Sequence, residues 1–173
     1  MFSWMEKTLA VLNDLKKRGL ITEYAIGGGM GAVFYVEPFL TYDLDVFIMT
    51  EEEAGLQPLA GIYRFLKGKG YRPKDEQVVI EGLPVQFLPA WNDLLQEAVR
   101  EARTIRFQGT STRVMAVEHL LAVMLSAGRA KDRERFFKVL DEAELDRKKL
   151  SRILERHGLN EKFVDWEKTR REK

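Results

Sequence analysis

Several common features are missing from this sequence of 173 residues. It has no cysteine, which excludes disulfide bonds, thiolate zinc sites and a cysteine nucleophile, and which fits a reducing compartment. It has no apolar run of roughly 18 residues, and Trp4, Glu6 and Lys7 occupy positions where the hydrophobic segment of a signal peptide would begin. We therefore expect a cytoplasmic protein without a membrane partner.

Net charge and aromatic patterning are also weak signals. The 28 basic and 27 acidic residues nearly cancel, so the overall charge gives no argument for nucleic acid or membrane binding. No basic and aromatic residues alternate around Trp4, Trp91 or Trp166, and we expect these side chains to be packing anchors. Partners therefore have to be inferred from local sites.

Hydrophobic periodicity predicts an α/β domain over residues 1–89 and a helical subdomain over residues 90–173. In the first part, the pattern predicts helices over 2–15, 30–36 and 58–66, strands over 24–26, 43–48 and 71–73, and a hairpin over 78–88. In the second part, it predicts helices over 94–103, 117–126, 131–140, 146–157 and 161–172, with a small strand over 104–108.

The stretch around three consecutive glycines, Gly27, Gly28 and Gly29, is the most informative part of the sequence. Glycine allows backbone dihedrals that a Cβ would forbid and lets the chain approach a ligand closely. The helix predicted just after them would direct free N–H groups toward an anion such as phosphate. A tight turn with close helix-strand packing is the alternative explanation for the glycines alone.

Asp43 and Asp45 follow on the next predicted strand. Because strand side chains alternate, the two carboxylates share one face, which we expect to be exposed, while Leu44 and Val46 point away. Paired carboxylates repel unless a cation lies between them, and oxygen ligands of this kind suit Mg²⁺. An exposed edge face, or the metal motif of a sugar-nucleotide glycosyltransferase, would give the same pattern.

A glycine turn followed by a short helix and an Asp-x-Asp strand resembles the signature of the nucleotidyltransferase superfamily, whose fold is like that of DNA polymerase β. The resemblance implies a mixed sheet with flanking helices, followed here by a helical C-terminal subdomain. It implies that Gly27, Gly28 and Gly29 place the phosphates of a nucleoside triphosphate, either Gly27-Gly28 or Gly28-Gly29 being the family's pair. It also implies that Asp43 and Asp45 bind the divalent metal and are catalytic.

Two further segments resemble the bacterial abortive-infection toxins of this superfamily. The run from Thr41 to Asp45 matches their T-x-D-hydrophobic-D pattern, and residues 118–133 match their glutamate-headed helix that ends in A-x-R-x-K-D. The resemblance implies that Thr41, Arg129 and Lys131 belong to the nucleotide site. Helix capping and surface ion pairs are the alternative roles for Arg129 and Lys131.

One position departs from the superfamily pattern. Active members carry a third carboxylate on a later strand, where this sequence has Gln86. An amide oxygen can contact a metal, but an amide neither offsets its charge nor accepts a proton. Glu81 or Glu37 could substitute for the missing carboxylate, although both are expected at turns, where acidic residues are normally solvated.

We therefore expect an enzyme that uses Mg²⁺ or Mn²⁺ to transfer a nucleoside monophosphate from a nucleoside triphosphate to an RNA, protein or small-molecule acceptor. The alternative is a degenerate, non-catalytic member of the same fold that binds a nucleotide or a partner, for example in a toxin-antitoxin-like system. Gln86 is the main argument for the alternative. A small glycosyltransferase is disfavoured, because the α/β portion is short.

Overall fold

The computed structural model of the protein describes residues 3–51 and 57–171. Within these residues, the chain forms one seven-stranded mixed sheet flanked by eight helices, which confirms the predicted fold class. The strands are β1 (Glu23–Gly27), β2 (Leu44–Met49), β3 (Pro73–Lys74), β4 (Gln77–Ile80), β5 (Leu83–Pro89), β6 (Arg103–Phe107) and β7 (Thr110–Val114). The helices are α1 (Ser3–Lys17), α2 (Gly28–Val33), α3 (Ala60–Gly68), α4 (Asp93–Arg100), α5 (Val117–Ala127), α6 (Ala130–Glu142), α7 (Arg147–Arg156) and α8 (Asn160–Arg171).

The sheet is organised around β2, which lies in its centre. The strand order is β3-β4-β5-β2-β1-β7-β6, with β2 antiparallel to β1 and parallel to β5. The predicted hairpin is confirmed as β4 and β5. The strands β1 and β5 satisfy the backbone hydrogen bonds of β2 on its two sides, and this pairing fixes its position and register.

Alternation along β2 separates two hydrophobic cores. Leu44, Val46 and Ile48 pack with α1 and α3 on one face of the sheet. Phe47 packs on the other face, in the core that contains buried residues of α4, α5, α6, α7 and α8. Asp45 lies two residues before Phe47 and therefore belongs to the face covered by the C-terminal helices.

Strands from both sides of residue 89 share this sheet. The small strand predicted over 104–108 is present as β6, and the sequence analysis missed β7, which pairs with both β6 and β1. The segment T-S-T-R-V has little apolar content, and Gln108 and Gly109 both have positive φ in the turn that joins the two strands. The domain boundary at residue 89 stays a prediction.

The helix after the glycines differs from the predicted range of 30–36. It begins at Gly28 because the glycine backbone itself forms the first turn. It ends at Val33, and the next residues continue in tighter turns, with Tyr35 N donating to Ala32 O at 2.9 Å. The following Glu37 precedes a proline, which disfavours continuation of a helix.

A carboxylate on α4 ties three of the C-terminal helices together. Glu97 Oε2 lies 2.9 Å from His119 Nε2 on α5 and 3.1 Å from His157 Nε2, while Oε1 accepts from Arg156 Nε at 2.7 Å. Burial alone would raise the pKa of Glu97, but hydrogen bonds from Arg156, His119 and His157 lower it to about 2.

None of the helices in the described part of the chain has the length and apolar character needed to cross a bilayer.

Candidate functional site

Asp43 and Asp45 lie at the N-terminal end of β2. Asp43 precedes the strand, whereas the sequence analysis placed it within the strand, and its Oδ2 accepts a hydrogen bond from Gln77 Nε2 at 3.1 Å. Asp45 is only 8% exposed, so the prediction of an openly exposed carboxylate was wrong for this residue. The reason is that α2 crosses directly over β2, bringing Gly28 against the Asp45 carboxylate.

The surroundings of Asp45 oppose its negative charge. The pKa of Asp45 is raised, first because burial penalises the charged form and second because Asp43 repels it. Lys131, Arg129 and Arg135 act in the opposite direction, and they do not outweigh burial. A cation bound between the two aspartates would therefore relieve an unfavourable interaction that is already present in the protein.

Gln86 lies beside Asp45 on the neighbouring strand. The two residues are partners in the parallel register of β2 and β5, so their side chains lie on the same face of the sheet. Gln86 Nε2 donates to Glu76 Oε2 at 3.3 Å. Sequence reasoning missed Glu76, because this residue lies in the turn between β3 and β4, outside the hairpin predicted over 78–88.

Of the two acidic residues considered as substitutes for the third ligand, Glu81 has its carboxylate engaged elsewhere and Glu37 is exposed. Glu81 Oε1 accepts from the Tyr71 hydroxyl at 2.6 Å, and the backbone N–H of Glu37 donates to Glu142 at 3.3 Å. Among the described residues, no group of three or more histidine or carboxylate side chains is arranged to hold a metal ion. The candidate site thus offers two carboxylates and the neutral side chain of Gln86.

Gly27 and Gly28 are required for different reasons. A Cβ on Gly27 would lie 2.7 Å from Cε2 of Phe47, so this position must stay small for packing. Gly28 has a φ of +58°, and a Cβ there would overlap Asp45 Oδ2. Gly28 therefore permits both the left-handed backbone and the close approach of α2 to the carboxylate.

We expect Gly28→Ala to be destabilised and to lose metal-dependent nucleotide binding. The positive φ alone costs about 1–2 kcal/mol for a residue with a Cβ, and the overlap with Asp45 adds to this and displaces the carboxylate. Gly70→Ala is the matched control, because Gly70 has a φ of +90° and open space around its Cβ position. Urea unfolding and calorimetric titration would compare the two variants; equal nucleotide binding by both would contradict the assignment.

Arg129 and Lys131 surround the site in different ways. Arg129 forms a two-point ion pair with Asp132, with Nε–Oδ2 at 2.7 Å and Nη2–Oδ1 at 3.1 Å. Asp132 is 2% exposed and also accepts from the backbone N–H of Arg129 at 3.3 Å, which caps α6. Lys131 is exposed, and its charge lowers the pKa of Asp45. Arg129 thus has a structural role in addition to its charge near the aspartates.

Arg135 is a residue that sequence reasoning missed. A Cβ on Gly29 would lie 2.7 Å from Arg135 Cζ and 2.9 Å from Thr41 Oγ1, so both side chains lie directly over the glycine turn. The Thr41 hydroxyl is buried and has no hydrogen-bond partner among the described residues. Arg135 lies four residues after Lys131 on α6, and this helical spacing was the available signal.

Two cavities lie near the site, one lined by Arg135 and the other by Gly28 and Asp45. A basic cavity of about 230 Å³ is lined by Phe39, Leu40, Lys131, Glu134, Arg135 and Lys138. An apolar cavity of about 270 Å³ begins at Gly28 and Asp45 and extends between α4 and the end of α5. Trp91 lines the apolar cavity and is 79% exposed, so the prediction that it is a packing anchor was wrong. Trp166, by contrast, is buried among Phe136 and its neighbours, as predicted.

The fold of this chain is similar to that of solved nucleotidyltransferase-like structures. An antigenic nucleotidyltransferase-like protein from Paracoccidioides brasiliensis matches 80% of this chain and 76% of its own, with 15% identity and a TM-score of 0.56. The solution structure of the antibiotic-resistance factor ANT(2'')-Ia matches 98% of both chains, with 18% identity and a TM-score of 0.52. The chain has a nucleotidyltransferase-like fold.

A crystal structure of ANT(2'')-Ia in complex with adenylyl-2''-tobramycin also matches, over 88% of this chain and 94% of that one, with 18% identity and a TM-score of 0.52. No protein-family model and no curated protein sequence matches the chain significantly. The likeness is therefore one of nucleotidyltransferase-like architecture, and the chemistry has to be argued from the residues at the end of β2.

Proposed function

We propose that the protein transfers a nucleoside monophosphate from a nucleoside triphosphate to an acceptor hydroxyl, using Mg²⁺ or Mn²⁺. The observation that carries the proposal is the juxtaposition of Asp45, Gly28 and Arg135 at one end of a nucleotidyltransferase-like sheet. The carboxylate, the close-approach glycine and the cation lie within side-chain contact of one turn. Adenylyl-2''-tobramycin, the compound bound to one structural neighbour, is a nucleotide joined to an acceptor, which supports this class of reaction.

The side chains at the site fit a hard divalent cation. Asp43 and Asp45 would hold it through carboxylate oxygens. Gln86 uses its amide nitrogen to bind Glu76, so its amide oxygen would be left to contact the cation. The bound cation would neutralise phosphate charge and polarise the reacting phosphoryl group. The raised pKa of Asp45 supports this assignment, because burial and Asp43 have already made its unpaired charge unfavourable.

The remaining residues would orient the triphosphate. The backbone at Gly28 and Gly29 would contact phosphate oxygens, and Lys131 and Arg135 would draw the terminal phosphates into the basic cavity. An acceptor oxygen would then attack the α-phosphorus in line, forming a new P–O bond while the bond to pyrophosphate breaks and the hydroxyl proton passes to solvent. Gln86 cannot accept that proton, so we expect slow transfer.

We expect the basic residues on α6 to separate into two functional groups. Lys131→Ala and Arg135→Ala should weaken nucleotide binding roughly tenfold each with little change in stability. Lys131 is exposed, and the half-buried Arg135 contacts the Phe39 ring; each interaction contributes about 0–1 kcal/mol to folding. Arg129→Ala should instead destabilise the protein by roughly 1–3 kcal/mol, because it leaves the buried Asp132 unpaired. Calorimetric titration and urea unfolding would measure the two effects.

An exposed lysine on α8, Lys168, provides a matched control for this series. Lys168→Ala changes the net charge by the same amount and should leave both binding and stability unchanged. If it weakened nucleotide binding as much as Lys131→Ala, the effect would be one of general charge, and the basic cavity would not be the phosphate site.

The second candidate function is nucleotide or partner binding without transfer, for example as part of a toxin-antitoxin-like system. It is favoured by Gln86 at the position beside Asp45, since two carboxylates and one amide hold a cation less firmly than three carboxylates. The two functions differ in one respect only. The binding protein would hold the intact metal-triphosphate complex and release it unchanged.

A transfer assay tests the proposal. The protein would be incubated with each α-labelled nucleoside triphosphate and Mg²⁺ or Mn²⁺, in the presence of separate RNA, protein and small-molecule fractions. The proposal predicts label in one fraction, absent with the Asp43→Asn, Asp45→Asn double variant. Binding of the triphosphate with no label in any fraction would favour the second candidate. The RNA or protein acceptor and the cytoplasmic location remain predictions from the sequence.

A further inference from the structure

The apolar cavity beside Asp45 differs in chemistry from the basic cavity that Arg135 lines. Its lining includes Phe47, Leu88, Leu95, Val123 and Met124. The basic cavity instead carries Lys131, Arg135 and Lys138. The basic cavity is therefore the favourable place for a triphosphate, and the apolar cavity is left for a different chemical group.

Three polar side chains that line the apolar cavity, those of Asn92, Arg129 and Asp132, already have hydrogen-bond partners. Asp132 is bound at two points by Arg129. The side-chain oxygen of Asn92 accepts from the backbone N–H of Leu95 at 2.8 Å, capping α4. The remaining carboxylate in the lining, Asp45, is the one assigned to the metal. The cavity thus has no free carboxylate to neutralise a positively charged guest.

We propose that this cavity binds the acceptor, and that the acceptor is an uncharged or anionic hydroxyl compound with an aromatic or apolar ring. The inference rests on the proposed function, and it names the substrate class of that same site. A volume of about 270 Å³ accommodates one ring or two fused rings. The exposed face of Trp91 at the cavity can stack on such a ring.

The position of the cavity suits an acceptor better than it suits the terminal phosphates. In-line displacement requires the attacking oxygen to approach from the side opposite the leaving pyrophosphate. The proposed function puts the pyrophosphate beside Gly29, Thr41 and Arg135, which lie together. The apolar cavity opens from Gly28 and Asp45 instead. A ring held there would present its hydroxyl to the phosphorus next to Asp45.

The same lining argues against a polycationic acceptor. An amino sugar with several ammonium groups needs several unpaired carboxylates, because each buried ammonium has to be paired. Here the lining includes Arg129, and the charge of Lys131 reaches Asp45, so both cations would repel it. We expect the acceptor of this protein to differ in this respect from an aminoglycoside such as tobramycin.

Nuclear magnetic resonance of the full chain tests the proposal through the indole N–H signal of Trp91, assigned with the variant Trp91→Phe. Benzyl alcohol is the probe for a neutral ring, and tobramycin is the polycationic comparison. The proposal predicts that benzyl alcohol shifts the Trp91 signal in a saturable manner at millimolar concentration, and that tobramycin does not. It further predicts that the Mg²⁺ complex of a nucleoside triphosphate leaves the benzyl alcohol affinity unchanged or increases it.

Two variants make this test specific to the cavity. Ala127→Phe places a ring in the lining and should weaken benzyl alcohol binding at least tenfold, whereas Ala130→Phe makes the same change at an exposed alanine outside this cavity and should not. Equal binding by both variants would overturn the proposal. If Ala127→Phe does not fold, Leu95→Gln is the second variant. It keeps the side-chain volume but makes the lining polar, and it should also weaken benzyl alcohol binding.

Three other outcomes would also overturn the proposal. Saturable binding of tobramycin at Trp91 would show that the cavity accepts a polycation. Displacement of benzyl alcohol by a nucleoside triphosphate, but not by inorganic triphosphate, would assign the cavity to the nucleobase. Absence of benzyl alcohol binding would remove the ring site. A failure of the proposed function is distinguishable from these, because it would appear as absent nucleotide binding while the ring still bound.

Discussion

Asp45→Asn is expected to make the unliganded protein more stable at pH 7 and to abolish its stabilisation by metal and nucleotide. Burial and repulsion from Asp43 raise the pKa of Asp45 above its ordinary value of 3.8, so the ionised carboxylate destabilises the native state at neutral pH. A neutral amide of nearly the same size removes this unfavourable term. It also removes the charge that would hold the cation, so affinity for the metal-nucleotide complex should fall at least roughly 100-fold.

The pH dependence of this gain follows from the direction of the shift. Because the folded-state pKa of Asp45 is raised, the parent protein loses stability as pH rises from the ordinary pKa of 3.8 through the folded-state pKa. The asparagine variant does not undergo this loss. Its advantage in melting temperature, on the order of a few degrees, should therefore be present at pH 7 and should disappear below about pH 3.8.

Thermal unfolding between pH 3 and pH 8, with and without Mg²⁺ and nucleoside triphosphate, would measure both effects. Asp165→Asn is the control, because Asp165 is an exposed carboxylate on α8. A variant at Asp45 that was less stable than the parent at pH 7, yet still stabilised by the metal-nucleotide complex, would show that this carboxylate is a structural group.

Gln86→Asp should strengthen metal binding, in contrast to Asp45→Asn, which should weaken it. Gln86 is the register partner of Asp45, so an aspartate there would complete a group of three carboxylates on one face of the sheet. Without metal, the additional repulsion should lower stability by roughly 1–3 kcal/mol. With Mg²⁺ the loss should be reversed, metal affinity should rise at least about tenfold, and transfer from a labelled triphosphate should accelerate.

A charge-matched control for this variant lies in the turn between β6 and β7. Gln108→Asp introduces the same charge at an exposed position on the other edge of the sheet, and its stability should not respond to Mg²⁺. Thermal unfolding of both variants over a Mg²⁺ series separates the possibilities. A loss of stability in Gln86→Asp that Mg²⁺ does not relieve would place Gln86 outside the metal site.

The parts of the fold that depend on local pattern could be predicted from the sequence. The hairpin of β4 and β5 was evident from two apolar runs around Glu81 and Gly82, and both turn residues have positive φ. The strand β7 was missed, because its membership of the sheet depends on pairing with β1 rather than on its own apolar content. The burial of Asp45 was missed for a similar reason, since α2 and the C-terminal helices provide it.

Some residues of the candidate site could likewise be identified from the sequence, and others could not. Gly28 and Asp45 were identified because they fall within one short stretch of sequence. Glu76 was missed, because it lies in the turn just before β4, outside the hairpin predicted over 78–88. Trp91 was expected to be a packing anchor because no basic and aromatic residues alternate around it, but the side chain is 79% exposed. Non-local pairing and surface shape are not encoded in local periodicity.

The central claim is that Asp43 and Asp45 hold a metal-nucleotide complex over the turn at Gly28. Calorimetric titration of the parent and of the Asp43→Asn, Asp45→Asn double variant with a nucleoside triphosphate, with Mg²⁺ and with excess chelator, tests it most directly. We expect saturable binding by the parent that requires Mg²⁺, and a loss of at least roughly 100-fold in the double variant. Equal affinities for the two proteins, or binding that persists in chelator, would contradict it.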